Sequence, residues 1–84
     1  MEMNKSRESI AFGKAVREAR RSLGLSQDDF AAVSHLHRTY VGGIERGERN
    51  PTLSTIWRIS AALKLTPEVL IERARLILEA RAQS

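Results

Sequence analysis

The side chains best suited to binding chemistry lie at the start of one predicted short helix, where Arg38 is followed by Thr39. An arginine fork pairs bidentately with the O6 and N7 acceptors of guanine, and a threonine offers a methyl and a hydroxyl to a base or a phosphate. A cation in the first turn of a helix opposes the helix dipole, so a partner outside the helix has to justify Arg38. A DNA duplex is such a partner.

Catalytic and metal chemistry find little support. The chain has no cysteine and two histidines, His35 and His37, which lie two positions apart and have no third ligand nearby. It has no nucleophile, histidine and carboxylate at workable spacing and no glycine-rich phosphate loop. We therefore expect a binding protein rather than an enzyme, with no cofactor and no metal site.

The length and the charge of the chain further limit the functions it can have. The chain has 84 residues, enough for one small domain, and 14 Lys+Arg against 10 Asp+Glu give a formal net charge of +4. No run of basic residues exists, so nucleic-acid contacts have to come from individually placed side chains. Residues 1–9 do not resemble a signal peptide, and no apolar stretch reaches the roughly 18 residues that a membrane span needs. We expect a soluble, cytoplasmic protein without membrane contact.

The elements that must position these side chains are all predicted to be helices. Residues 1–8 are expected to form a flexible arm, and residues 9–82 a single all-α domain of five helices. Ser9 is the predicted N-cap of the first helix and Gly24 its stop. The apolar period places four residues on the inward face of this helix: Phe12, Val16, Ala19 and Leu23.

The end of the chain carries two further helix signals. Thr52 is the predicted cap of a fourth helix, and Thr66-Pro67-Glu68 is a strong start signal for a last helix over residues 67–82. The inward residues of the fourth helix are predicted to be Leu53, Ile56, Ile59 and Leu63.

Between these ends, two short helices are joined by a tight turn. Ser26 caps the first of them, His35 stands where the turn favours positive φ, and His37 precedes the second, which Gly47 closes. This spacing predicts a helix-turn-helix over residues 27–46. In that arrangement the first helix braces the second, and the second presents Arg38 and Thr39 to the major groove.

Two strings in this region resemble a known family. They are Val16-Arg17-x-x-Arg20-x-x-x-Gly24-Leu25-Ser26-Gln27-x-x-Phe30-Ala31 and Arg38-Thr39-Tyr40-Val41-x-Gly43-Ile44-Glu45-Arg46-Gly47-x-Arg49-Asn50-Pro51. Both are similar to Cro/cI-type (Xre, λ-repressor-like) helix-turn-helix domains, and the second most resembles the controller proteins of restriction–modification systems. The resemblance implies a compact five-helix transcriptional regulator that binds a pseudo-palindromic DNA operator as a homodimer.

The resemblance also suggests roles for particular residues. It implies a partly buried structural ion pair between Arg20 and Glu45. The expected phosphate ligands are Gln27, Tyr40, Arg46, Arg49 and Asn50. For Tyr40, packing against the core is an equal alternative, and Arg49 could instead enter the minor groove.

Gly42 and Gly43 depart from the family pattern, in which long polar side chains are common at these positions. Because these two positions carry no side chain, we expect fewer base contacts beyond those of Arg38 and Thr39 and a larger part for recognition of DNA shape. Alternatively, the glycines let the helix lie closer to a backbone or a partner.

The last helix carries more apolar residues than one core-facing stripe requires. We expect a homodimer interface that comprises Trp57, Val69, Ile71, Leu76 and Leu78. The alternative is that the helix only caps the core and its flanks stay in water. Because no space remains for an effector-binding domain, control is expected through dimerisation, occupancy of adjacent sites by two dimers, or autoregulation.

Three other uses of the same fold stay open at this point: a toxin-neutralising antitoxin, a phage-type repressor, and an adaptor that binds protein rather than DNA. The antitoxin is disfavoured because the chain ends two residues after the last predicted helix.

Overall fold

The computed structural model describes residues 5–82, and its regular elements over that range are all helical. In chain order the helices are α1 (Arg7–Ser22), α2 (Gln27–Ser34), α3 (Arg38–Glu45), α4 (Leu53–Ala62) and α5 (Pro67–Ala82). The prediction of an all-α, five-helix fold is therefore confirmed. No helix among the described residues is both long enough and apolar enough to cross a membrane.

The first helix begins earlier than predicted. Ser6, not Ser9, is its N-cap, and the Ser6 hydroxyl oxygen accepts a hydrogen bond from the Ser9 main-chain N–H at 3.0 Å. Both serines are able to cap a helix, but the earlier start adds a turn that buries Ser9 and sets Ile10 against Gly47. Residues 7 and 8 of the predicted arm are thus helical, and residues 1–4 lie outside the described part of the chain.

The helix-turn-helix has the predicted local signals. The Ser26 hydroxyl accepts from the Asp29 N–H at 3.0 Å, and the Asp29 carboxylate accepts from the Ser26 N–H at 3.2 Å, so the two residues form a capping box. His35 adopts the left-handed conformation with φ of 59°, and His37 precedes α3 without a capping hydrogen bond from its side chain. These contacts fix where α2 ends and α3 begins.

The core lies between α1 and the other four helices. α1 packs mainly along α5 and also against α3, while α2 packs against α3 and α4. The largest fully buried side chains are Phe30, Ile44, Ile59, Leu70, Val16 and Val41. Two residues predicted to face inward do not: Leu23 is 40% exposed and Leu53 is 68% exposed. Both stand at helix ends, where the periodic pattern continues but no neighbouring helix remains to cover it.

α1 approaches α3 very closely at Gly13. A side-chain carbon at this position would overlap the Ile44 carbonyl oxygen and would lie 2.8 Å from the Glu45 carbonyl oxygen. The last turn of α3 therefore packs directly on the backbone of α1, and this contact helps to set the angle between the two helices.

Candidate nucleic-acid interface

The first turn of α3 presents polar side chains to solvent. Arg38 and Thr39 are both exposed. The Arg38 Nε lies 3.5 Å from an Asp28 carboxylate oxygen on α2, a loose ion pair between two well-exposed side chains. Such a surface pair adds little to stability. The Arg38 guanidinium is therefore oriented by Asp28 but accessible to an acceptor in a DNA groove.

A buried ion pair connects α1 to the end of α3. Arg20 donates from Nε to Glu45 Oε2 at 2.6 Å and from Nη2 to Glu45 Oε1 at 2.9 Å, and its Nη1 donates to the Leu25 carbonyl at 2.8 Å. The Glu45 side chain is fully buried and that of Arg20 is 8% exposed. This bidentate geometry joins the first helix to the helix-turn-helix.

The pKa values of the pair follow from this geometry. Burial by itself raises the pKa of the Glu45 carboxyl, but hydrogen bonds from Arg20, Gln27 and Arg17, with the charge of Arg20, outweigh it and hold that pKa below its ordinary value. The hydrogen bond to Glu45 in turn raises the pKa of the Arg20 guanidinium. Both groups are thus charged at neutral pH.

Gln27 is half-buried, and its side chain joins this cluster. Its amide Nε2 donates to Glu45 Oε1 at 2.9 Å, so its side chain is committed within the protein. The prediction assigned both that side chain and the main-chain N–H of Gln27 to a phosphate. In the unbound protein its main-chain N–H, at the start of α2, is the group left to meet one.

Arg17 was not predicted as part of the cluster. Its Nε lies 3.4 Å from the Glu45 Oε1 that already accepts from Arg20 and Gln27, and its side chain is 38% exposed. The available signal was its position three residues before Arg20, which places both side chains on one face of α1.

Tyr40 shows one of the two alternatives left open for it, packing against the core, and its contact with a phosphate stays a prediction. It packs partly against the core, and the Arg49 guanidinium carbon lies 5.8 Å from the centroid of its ring. This cation–π contact holds Arg49 beside α3. Arg49 and Asn50 are both exposed in the loop that follows α3.

The five residues predicted for a dimer interface are divided by the structure. Trp57, Val69, Ile71 and Leu76 are exposed, and Leu78 is half-buried. Because helical positions advance by about 100° per residue, Ile71 and Leu78 lie on one flank of α5 and Val69 and Leu76 on the other. Ile71 and Leu78 line a groove of about 560 Å³ that is bounded also by Phe12, Ile56 and Pro51. Trp57 follows Ile56 on α4, at the margin of this groove.

Comparison with known proteins places this geometry among DNA-binding regulators. A helix-turn-helix family model, HTH_3, matches residues 16–70. Control protein C.SmaI of Serratia marcescens is 47% identical over 58 residues, which cover 69% of each chain. The restriction-modification controller protein C.AhdI of Aeromonas hydrophila has a structure with a TM-score of 0.75 at 43% identity, covering 77% of this chain and 98% of that one. The controller protein C.Esp1396I, solved as a tetramer with its natural 35 base-pair operator, gives a TM-score of 0.80 at 30% identity, over 87% of this chain and 96% of that one.

Proposed function

The chain belongs to the helix-turn-helix family HTH_3, and from this we propose that it is a sequence-specific transcriptional regulator, the controller protein of a restriction–modification system. It acts by binding a DNA operator and not by catalysis. Its place of action is the compartment that holds its DNA, the cytoplasm.

One observation carries the proposal most directly: an exposed Arg38–Thr39 pair stands on a helix whose other end is rigidly anchored. Glu45, the last residue of α3, is buried and bound by Arg20 of α1, while Arg38 at the first turn is exposed. A helix held at one end and free at the other is able to insert its first turn into the major groove. Arg38 and Thr39 then contact base edges.

The surroundings of α3 supply contacts to the DNA backbone. Arg49 lies over the Tyr40 ring beside the recognition helix, Asn50 follows it in the exposed loop, and the main-chain N–H of Gln27 stands at the start of the bracing helix. Backbone contacts of this kind fix the position of a protein on the duplex, whereas base contacts determine the sequence.

The homodimer forms through the flank of α5 that lines the groove, the flank of Ile71 and Leu78. The wall of this groove also includes Pro51, which belongs to the loop that follows α3, so a two-fold partner bound there lies close to the recognition helix. A two-fold axis at this place sets two recognition helices about 34 Å apart, one turn of DNA. Since the relative C.Esp1396I is described as a tetramer on its operator, two dimers on adjacent sites are the expected higher assembly.

Selection from a library of randomised duplexes, followed by fluorescence anisotropy on the enriched sequence, tests the proposal. We expect an enriched pseudo-palindrome and an affinity that falls by orders of magnitude between about 50 and 200 mM salt, because a dimer neutralises many phosphates. If no sequence is enriched and no duplex is bound, the adaptor function replaces this one.

A further inference from the structure

Gly42 stands in the middle of the recognition helix without a conformational reason. The described glycines with positive φ are Gly24 and Gly47, so the backbone at Gly42 is one that any residue adopts. Glycine weakens a helix interior relative to alanine. Something other than backbone conformation must therefore account for a glycine at this position.

The missing side chain leaves room that two arginines share. A side-chain carbon at Gly42 would lie 3.0 Å from Arg46 Nη1 and 3.8 Å from Arg38 Nη1. The three residues are spaced four apart along α3, so they form one row on one face of the helix. The two Nη1 groups thus converge on one point above Gly42.

Each guanidinium is held on its far side by a carboxylate. Asp28 lies 3.5 Å from Arg38 Nε, and Glu48 lies 3.1 Å from Arg46 Nη2. Neither carboxylate contact involves an Nη1 group, and Gly42 is buried with both Nη1 groups beside it. Two cations that converge on one point repel each other unless an acceptor lies between them.

We propose that Gly42 is a specificity-determining position, at which the absent side chain lets Arg38 and Arg46 bind one guanine base edge together. This inference rests on the proposed DNA-binding function and assigns Arg46 to a base, in place of the phosphate expected from the sequence. Guanine offers two adjacent acceptors, O6 and N7, in the major groove. Arg46 shares a helical row with Arg38, the residue proposed to contact a base, and this shared row is the reason for assigning Arg46 to the same base.

The neighbouring glycine involves a different arginine. A side-chain carbon at Gly43 would lie 2.9 Å from Arg49 Cγ and 3.1 Å from Arg49 Nε. Gly43→Ala therefore gives the same gain in helix propensity as Gly42→Ala and displaces Arg49 instead of Arg46, which makes it the matched control.

The test measures discrimination at single base pairs. The duplex enriched by the wild-type protein and its single-base-pair substitutions are titrated with wild type, Gly42→Ala, Arg46→Ala, the double variant and Gly43→Ala. We expect Gly42→Ala and Arg46→Ala each to reduce discrimination at the same G·C pair by about tenfold, within the range for a bidentate arginine contact. In the double variant we expect no further loss, because Gly42 acts by admitting Arg46. Gly43→Ala should keep discrimination at that pair, and thermal unfolding should show that Gly42→Ala folds.

Three results would overturn the inference while the proposed function stands: unchanged discrimination in Gly42→Ala, additive losses in the double variant, or an equal loss of affinity for every duplex. The last result would mean that Arg46 contacts a phosphate. If the wild-type protein enriches no sequence, the proposed function fails and this inference fails with it.

Discussion

Arg38 is the residue on which base recognition depends most directly, since it is exposed at the first turn of α3 and only loosely paired with Asp28. Arg38→Ala should weaken binding to the enriched duplex by about 1–3 kcal/mol and relax the preference at one base pair. Arg73→Ala removes the same charge from α5, which packs mainly on α1, and serves as the matched control. Fluorescence anisotropy titrations of the enriched duplex and of random duplexes measure the affinity of each variant. An equal loss on the two duplexes would reduce Arg38 to a phosphate contact.

The Glu45 carboxyl makes the free energy of unfolding depend on pH. Its pKa is lowered in the folded protein, so the carboxylate stabilises the fold above the ordinary glutamate pKa of about 4.3, and this contribution is lost as the pH falls toward the lowered value. Glu45→Ala should cost roughly 3–5 kcal/mol at neutral pH, because it leaves the buried Arg20 unpaired.

Urea unfolding of wild type and Glu45→Gln from about pH 7 down to about pH 3 separates the effect of protonating Glu45 from the effect of losing its charge. The wild-type free energy of unfolding should fall more steeply below about pH 4.3 than that of the variant, which has no carboxyl to protonate at this position. Parallel curves would show that Glu45 does not carry the acid sensitivity.

At the scale of the helices, the contact between α1 and α3 depends on Gly13. Gly13→Ala forces a methyl group against the Ile44 and Glu45 carbonyl oxygens, which are backbone atoms and cannot swing aside. We expect a loss of about 2 kcal/mol in unfolding free energy or more, with weaker operator binding because α3 is displaced. For the free energy of unfolding alone, Gly42→Ala is the matched control, since its methyl meets only the flexible ends of arginine side chains. A Gly13→Ala protein as stable as the wild type would contradict the close approach of the two helices.

At the scale of the whole molecule, α5 has two apolar flanks, and the flank of Ile71 and Leu78 lines the groove through which we proposed the dimer to form. Ile71→Glu places a charge in the groove wall, whereas Val69→Glu places one on the opposite flank at similar exposure, 47% against 40%. We expect Ile71→Glu to be monomeric at micromolar concentration in sedimentation experiments, and Val69→Glu to remain dimeric. Dissociation by Val69→Glu alone would move the interface to the other flank.

Loss of the dimer should also change DNA binding. A monomer holds one recognition helix and half of the phosphate contacts, so the dependence of its affinity on salt should be about half as steep. Titration of the enriched duplex with the same Ile71→Glu variant at several salt concentrations therefore tests whether dimerisation contributes to DNA binding.

The sequence by itself determined most element boundaries, because they depend on contacts within about four residues. The Ser26 cap, the left-handed His35 and the Thr52 cap all lie where they were predicted, and the structure adds a second hydrogen bond from the Ser26 N–H to Asp29. The start of α1 was missed because two serines were equally able to cap it, and only packing of the first turn decides between them. Leu23 and Leu53 were misplaced for a related reason: periodicity does not tell where the covering neighbour ends.

The tertiary structure alone decided which distant side chains meet. In the unbound protein the Gln27 side chain donates to Glu45, 18 positions away, because the angle between α2 and α3 brings them together. The ion pairs of Arg38 with Asp28 and of Arg46 with Glu48 likewise join different parts of the chain, and the groove that Ile71 and Leu78 line has walls from α1 and α4 as well as α5. Such contacts depend on the distances and angles between helices, which no local pattern encodes, since they result from the packing of the whole core.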